Sequence, residues 1–280
     1  MSYRKHILVT GGAGFVGTNL CKKLVAQGHK VSSLDNYSTG TADNHIEGVD
    51  YRIGDVRSYK AIPDVDMVFH LAAIARIQPS FKDPVNYITT NANGTLEIIQ
   101  HCVKNKIPMV YAGSSSKHSG RFKNPYTFSK DLGEDLVTLY RKHFGLKSCI
   151  ARFYNVYGPH QLKSGGYSTL IGRWINNLEK KLPCAIYGDG EKRRDFTHVD
   201  DIVNALILMM EREAYGHEFE LGRGKNHSIN EVAKMFKIEP VYEEDKPGEA
   251  QNTLCESKLA REVLGWEPKI NLSDWINENL

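Results

Sequence analysis

Tyr126 and Lys130 stand four residues apart in the run Tyr126-Thr127-Phe128-Ser129-Lys130, which begins eleven residues beyond the middle of a serine triplet, Ser114-Ser115-Ser116. On a helix that spacing stacks the two side chains on one face, so an ammonium can lie beside a phenol or bridge to it through a ribose. A phenol is a poor base at its free pKa of about 10. A nearby lysine and an oxidised nicotinamide both favour the phenolate, and tyrosine then becomes a usable general base near neutrality. A serine hydroxyl opposite it can bond the same substrate oxygen and steady a developing alkoxide. The same spacing recurs at Tyr242 and Lys246. Only Tyr126 and Lys130 follow a serine-rich strand end.

The elements that must position this pair begin near the start of the chain. The apolar run Ile7-Leu8-Val9 leads into Thr10-Gly11-Gly12-Ala13-Gly14-Phe15-Val16-Gly17, and a second strand-like run, Lys30–Leu34, delivers Asp35. A dinucleotide site needs a tight turn, a backbone that approaches a pyrophosphate with no Cβ in the way, and a helix whose unpaired N–H groups face that anion. Glycine at 11, 14 and 17 permits all three. Asp35, at the end of the second strand, can accept hydrogen bonds from an adenosine ribose and would repel a 2′-phosphate, so NAD is favoured over NADP.

Strand-like runs alternate with helical ones through the first half: His6–Thr10, Lys30–Asp35, Val49–Ile53, 67–71, 108–112 and Ser148–Phe153, with helical periodicity over 86–104 and 126–143. This predicts an α/β fold, a Rossmann-type doubly wound parallel sheet with helices on both faces and ligands at the carboxyl ends of the strands. After Tyr154, turn-rich stretches such as Ser164-Gly165-Gly166 and Gly188-Asp189-Gly190 break shorter elements, which predicts a smaller, loop-rich C-terminal substrate domain. The expected boundaries are 1–155 for the NAD-binding domain with 191–212 returning to it, and 156–190 with 213–280 for the nucleotide-sugar region.

With 280 residues, 41% apolar and 25% charged, the chain can bury a substantial core. A formal charge of +3 with scattered Lys and Arg argues against nucleic acid as a partner. Cys21, Cys102, Cys149, Cys184 and Cys255 are far apart and without metal-ligand spacing, so they read as free thiols and no metal is expected. The N-terminal apolar run reads as a first strand, not a signal peptide, and no stretch reaches the ~18 residues of a membrane helix. A cytoplasmic setting with no membrane partner is expected.

The spacing Gly11-x-x-Gly14-x-x-Gly17 resembles that of the short-chain dehydrogenase/reductase superfamily. With Asp35-Asn36-Tyr37-Ser38-Thr39-Gly40 it is similar to the extended branch, the NAD-dependent nucleotide-sugar epimerases and dehydratases. The resemblance covers nearly the whole chain and implies a set of roles. Ser115, Tyr126 and Lys130 would be catalytic, with Ser115 and Tyr126 also touching substrate. Gly11, Gly14, Phe15, Val16, Gly17, Asp35, Asn36, Ser38, Thr39 and Gly40 would hold NAD, together with Asp55 and Val56 near the adenine, Leu71, Ala72 and Ala73 along the strand end, Asn93 near the nicotinamide, and Tyr126, Lys130 and Tyr154. Asn155, Tyr187 and Arg194 would bind the sugar nucleotide, Arg194 on the diphosphate. Lys246 and Glu249 would sit where relatives show Arg-x-Gly-Asp or Arg-x-Gly-Glu, with the acid on a ribose, and a lysine there loses the bidentate fork. His70 reads as a satisfied core histidine.

Relatives carry a longer stretch between the catalytic serine and tyrosine. Here Lys117-His118-Ser119-Gly120-Arg121-Phe122-Lys123-Asn124 is all there is, so a shortened rim is expected. Dehydratases of the family place an acidic pair after the catalytic hydroxyl to protonate a leaving group, and Ser116-Lys117 stands in that position, which argues against dehydration. The resemblance favours 4-epimerisation of UDP-hexoses, with Thr253 at the position that admits a 2-acetamido group. The alternatives are a dehydratase or reductase of the same family, or a nucleotide-binding regulator without turnover. The resemblance also implies a homodimer joined through the helices at 86–104 and 126–143.

Overall fold

The computed structural model describes residues 4–58 and 62–280. Six parallel strands, β1 (His6–Thr10), β2 (Lys30–Asp35), β3 (Val49–Ile53), β4 (Met67–His70), β5 (Met109–Ser114) and β6 (Ser148–Phe153), form a seven-stranded sheet with the edge strand Glu218–Leu221. The order is β3-β2-β1-β4-β5-β6 followed by that edge strand, so the strand order reverses between β1 and β4. A crevice opens outside the carboxyl ends of the strands at such a reversal. This is the Rossmann-like α/β fold that the alternation of runs predicts.

Strands covered on both faces read as continuous apolar runs, and β1 shows why. Ile7 and Val9 point into one core with Leu20, Cys21 and Leu24 of α1 (Phe15–Ala26) and with Ile202, Leu206 and Met209 of the apolar helix Val199–Glu211. Leu8, on the opposite side of the pleat, packs with Ile98, Ile99 and Cys102 and with Val137. Those residues belong to two helices, Gly94–Asn105 and Pro125–His143. The expected helix over 86–104 is interrupted: Pro84–Ile88 passes through a π-turn at Thr89–Asn93 before the helix resumes at Gly94. A third core gathers Tyr157, Trp174, Phe196, Phe236 and Trp275 beneath the second lobe.

The segment 213–280 does not stay in that lobe. Glu218–Leu221 pairs in parallel with β6, and Ala260, Leu264 and Trp266 join the first core. The strand is only four residues long and alternates Glu-Phe-Glu-Leu, so no apolar run marks it. Phe219 and Leu221 are wholly buried, while Glu218 and Glu220 both pair with Arg152 of β6. Arg152 also meets Glu134 at 2.8 Å, and both side chains are almost completely buried. Arg152→Met is expected to leave three carboxylates without their shared cation and to cost about 3–5 kcal/mol. Urea denaturation would measure it; a loss below about 1 kcal/mol would mean the network is not a structural requirement.

Candidate active site

The helix that carries the tyrosine starts cleanly. Pro125 occupies its first turn, where a missing N–H costs nothing, and the Asn124 side chain accepts from the Thr127 N–H at 2.8 Å. Tyr126 and Lys130 therefore face the carboxyl end of β5. The phenol of Tyr126 donates to Ser114 Oγ at 3.3 Å, and Ser114 Oγ donates in turn to Ser116 Oγ at 2.9 Å. Ser115 is buried and lines the same cavity, but the hydroxyl placed on the phenol is that of Ser114. Strand β5 runs on to Ser114 before the chain turns, and alternation along the strand decides which hydroxyl faces the helix. Burial pushes the Tyr126 phenol up, while the Ser114 hydrogen bond and the nearby Arg76 charge pull it down. Lys130 lies with its ammonium 4.3 Å from the centroid of the Tyr111 ring. Its burial lowers the pKa to about 8, partly opposed by Glu134.

A cavity of about 840 Å³ runs from Gly11 past Tyr126 to Thr253. Its first half fits a dinucleotide. Gly11 has φ +75°, and a Cβ there would come within 3.0 Å of the Ala72 backbone. A Cβ on Gly17 would come within 2.0 Å of the Gly11 carbonyl, so the first turn of α1 can close on the loop only with glycine there. Gly14 caps α1 without a side-chain acceptor, and no acid stands in the first turn, which leaves the positive helix end available to an anion. Asp35 accepts from Ala13 N at 3.0 Å and Tyr37 N at 2.8 Å, which fixes its carboxylate at the cavity wall. Phe15, Val16, Asn36, Ser38, Thr39, Val56, Leu71, Ala72 and Ala73 line this half as well.

Four expected cofactor residues do not line the cavity. The Asp55 carboxylate is taken up by Arg57 at 2.7 Å and Asn36 at 3.0 Å, and the Arg57 hydrogen bond holds its pKa well below the usual range. Gly40 packs on Ala13, 3.0 Å from where its Cβ would be. Tyr154 is buried behind β6 with its hydroxyl on Glu220 at 3.0 Å. Asn93 is exposed; Asn91, two residues earlier, is the buried asparagine, bonded to both backbone polar groups of Ile74 and to Ser129 Oγ. The π-turn shifts the helical phase by one residue and brings Asn91 inward. His70 sits between Thr10 and Thr95 hydroxyls at 2.7 and 2.9 Å, and burial pushes its pKa down to about 3, the core histidine the sequence suggests.

The second half collects the sugar-nucleotide candidates. Asn155 donates to the Asp195 carbonyl at 3.0 Å and to Thr253 Oγ1 at 3.1 Å. Arg194 meets Glu249 at 3.4 Å, and Gln78 bonds the same carboxylate at 3.3 Å. Lys246 lies 3.2 Å from the centroid of the Tyr187 ring, so Tyr187, Lys246, Glu249 and Arg194 share one wall. Two arginines absent from the sequence-based set stand there too: Arg76, three residues beyond the β4 strand-end motif, and Arg173 on the helix Leu170–Glu179. Position just past a β4 strand end was the available signal for Arg76, but a lone arginine in a loop reads as solvated. The short rim is pinned down: Lys117 pairs with Glu134 at 2.8 Å and Asp131 at 3.2 Å, and Arg121 with Asp135 at 2.7 Å.

The model of the NAD dependent epimerase/dehydratase family matches residues 7–222. The chain belongs to that family. It is 31% identical to a Methanocaldococcus jannaschii protein assigned as a UDP-glucose 4-epimerase, over 96% of this chain and 95% of that one. It is 32% identical to the UDP-N-acetyl-alpha-D-glucosaminuronate decarboxylase of Bacillus cytotoxicus, over 82% and 79%. The crystal structure of the UDP-glucuronic acid 4-epimerase of Bacillus cereus in complex with UDP-glucuronic acid and NAD superimposes with a TM-score of 0.88 at 26% identity, covering 97% and 96%. NAD is the cofactor of this epimerase/dehydratase family, and the Gly11, Gly17 and Asp35 geometry fits it. Among the described residues no helix is long and apolar enough to cross a membrane. If Ser114 is the serine that serves the reacting oxygen, Ser114→Ala is expected to lower kcat about 100-fold and Ser115→Ala by less than about tenfold. Steady-state assays of sugar-nucleotide conversion would measure both, and the reverse order would return the role to Ser115.

Proposed function

We propose that the protein catalyses NAD-dependent epimerisation of UDP-hexoses at C4. The observation that carries this reading is the Tyr126–Ser114 hydroxyl pair, its tyrosine on the helix that also carries Lys130, where the dinucleotide half of the cavity meets its cation-rich half. Bound NAD would supply a hydride acceptor that can give the hydride back. Tyr126 would take the proton of the C4 hydroxyl, Ser114 would hold the oxygen as it becomes a ketone, and the Lys130 ammonium would favour the phenolate. Asn155, Arg194, Tyr187, Lys246 and Glu249 would hold the nucleotide diphosphate while the sugar turns its other face. Among the described residues lining the cavity, the acids are Asp35 at the adenosine end and Glu249, which Arg194 and Gln78 hold. Neither is placed to protonate a leaving hydroxyl, which supports epimerisation over dehydration. Exposed Val85, Leu139 and Phe144 on and beside the helices that flank Tyr126 support pairing of two copies through those helices.

Proton NMR of UDP-glucose and UDP-N-acetylglucosamine incubated with the protein tests this directly. The C4 epimers are expected. A 4-keto-6-deoxy product would mean dehydration, accumulation of free NADH a net redox enzyme, and no change with NAD bound a non-catalytic role. Thr253 lines the cavity beside Asn155, so Thr253→Tyr is expected to lower kcat/KM for the N-acetylated pair about tenfold or more relative to the plain pair. Equal losses would show that Thr253 does not face the 2-substituent.

A further inference from the structure

Arg76 is held in a backbone conformation that costs free energy. Its φ is +90° and its ψ 138°, a region that L-residues rarely adopt and that only glycine occupies comfortably. The turn is fastened on each side. Asn91 bonds both polar backbone groups of Ile74, the Tyr87 hydroxyl donates to the Ala75 carbonyl at 2.8 Å, and Arg76 Nε donates to the Tyr167 carbonyl at 3.0 Å. Strain over-determined in this way persists where a side chain must be delivered to a site.

The delivery point is the hexose end of the cavity. The Tyr87 ring meets the Tyr126 ring edge-on at 6.4 Å, and Arg76, one residue beyond the carbonyl that Tyr87 holds, is close enough for the Tyr126 phenol, the Glu249 carboxylate and the Arg173 guanidinium to act on its charge. Among the described residues no carboxylate pairs with Arg76 or Arg173, and Arg173 Nε is buried without a partner. A nucleoside diphosphate brings two negative charges and Glu249 a third, against the four cations Arg76, Arg173, Arg194 and Lys246. Lys192 is already paired with Asp245. Arg173 lies over the Tyr187 ring, 5.4 Å from its centroid, on the wall that carries Lys246, and Glu249 is held by Arg194 and Gln78, so one guanidinium, that of Arg76, faces the sugar without a paired carboxylate.

We propose that Arg76 binds a carboxylate carried by the sugar, so that nucleotide-linked uronic acids are preferred over neutral hexoses. A guanidinium fork matches a carboxylate in a bidentate way that an ammonium cannot. This rests on the sugar-nucleotide reading above and narrows its substrate class.

The test compares kcat/KM for UDP-glucuronate and UDP-glucose in the wild-type protein, Arg76→Gly and Arg76→Lys. The wild type is expected to favour UDP-glucuronate. Arg76→Gly relieves the backbone strain while removing the charge, so without ligand it is expected to melt no lower than wild type. Its preference ratio is expected to fall about 30-fold or more, with Arg76→Lys in between. A wild-type preference for UDP-glucose, or an unchanged ratio in Arg76→Gly, overturns the proposal. Oxidation at C4 places the C6 carboxylate β to a ketone. If CO2 then leaves, the C5–C6 electron pair is protonated at C5 to give a UDP-4-ketopentose, and return of the hydride to C4 would make it a UDP-pentose. That product would support carboxylate binding while overturning 4-epimerisation. If no sugar nucleotide is converted, the catalytic reading fails by itself. Calorimetry then decides the anion site: UDP-glucuronate binding more tightly than UDP-glucose supports it, and equal affinity overturns it.

Discussion

The carboxylate of Glu134 is the interaction on which the site depends. It lies on the helix Pro125–His143, one turn beyond Lys130, and only 2% of its residue surface reaches solvent. An ionised carboxylate so far from water costs several kcal/mol unless it is paired and hydrogen-bonded, so its partners are fixed with it. Arg152 Nε approaches at 2.9 Å, Lys117 Nζ at 2.8 Å, and the Ser114 N–H at 3.4 Å. Each partner belongs to a different element. Ser114 N–H ties down the strand end that faces the phenol, Lys117 holds the short rim, and Arg152 brings β6 and, through Glu218 and Glu220, the edge strand. The acid itself rides on the helix that presents Tyr126 and Lys130. One buried charge thus sets the distance between the two halves of the hydroxyl pair.

That network also explains how the chain manages with so little sequence between the serines and the tyrosine. A longer segment can cover the active site with its own apolar packing. Eight residues cannot form a core, and Phe122 is 83% exposed. Ionic attachment replaces packing: Lys117 is drawn back to Glu134 and Asp131, Arg121 reaches Asp131 and Asp135, and His118 meets Glu220. Lys117, His118 and Arg121 are therefore turned toward the protein and not toward the cavity. This is why Lys117, although it follows the serines directly, takes no position from which it could act on a sugar.

The sheet and the placing of Tyr126 and Lys130 on one cavity-facing helix were legible because they rest on short-range rules. Strand-like runs, apolar in β1, β4 and β5 and mixed in β2 and β3, marked the first six strands to within a residue or two, glycine spacing marked the phosphate turn, and the four-residue step from Tyr126 to Lys130 needs only a helix. What was not legible depends on register or on partners far away in sequence. Ser114 and Ser115 differ by one residue, and only the place where β5 stops decides which hydroxyl meets the phenol. Asn91 is buried and Asn93 exposed because a π-turn, with no marker in the sequence, alters the phase of the helix. Asp55 and Tyr154 are drawn away by Arg57 and Glu220, partners that polarity patterns do not reveal. The edge strand has four residues and alternates with charge, and its burial follows from Arg152 already waiting on β6.

The two halves of the cavity are not independent bodies around a cleft. Asn124, whose Oδ1 caps the helix of Tyr126, uses its amide N–H to hold the Gly248 carbonyl at 3.1 Å, and Gln78 holds the Pro247 carbonyl at 2.9 Å and the Glu249 carboxylate. The loop that carries Lys246 and Glu249 is therefore anchored to the residue that starts the helix of Tyr126 and to the helix that follows Arg76. Asn91 completes the circuit, bonding Ile74 in the strained turn and Ser129, which bonds the Tyr126 carbonyl. On the proposed reading, a sugar filling that end would press on the strained turn, the anchored loop and the helix cap together. Its binding energy would then be available to align the phenol with the reacting oxygen, in the way that remote binding energy is converted into orientation at a reacting centre.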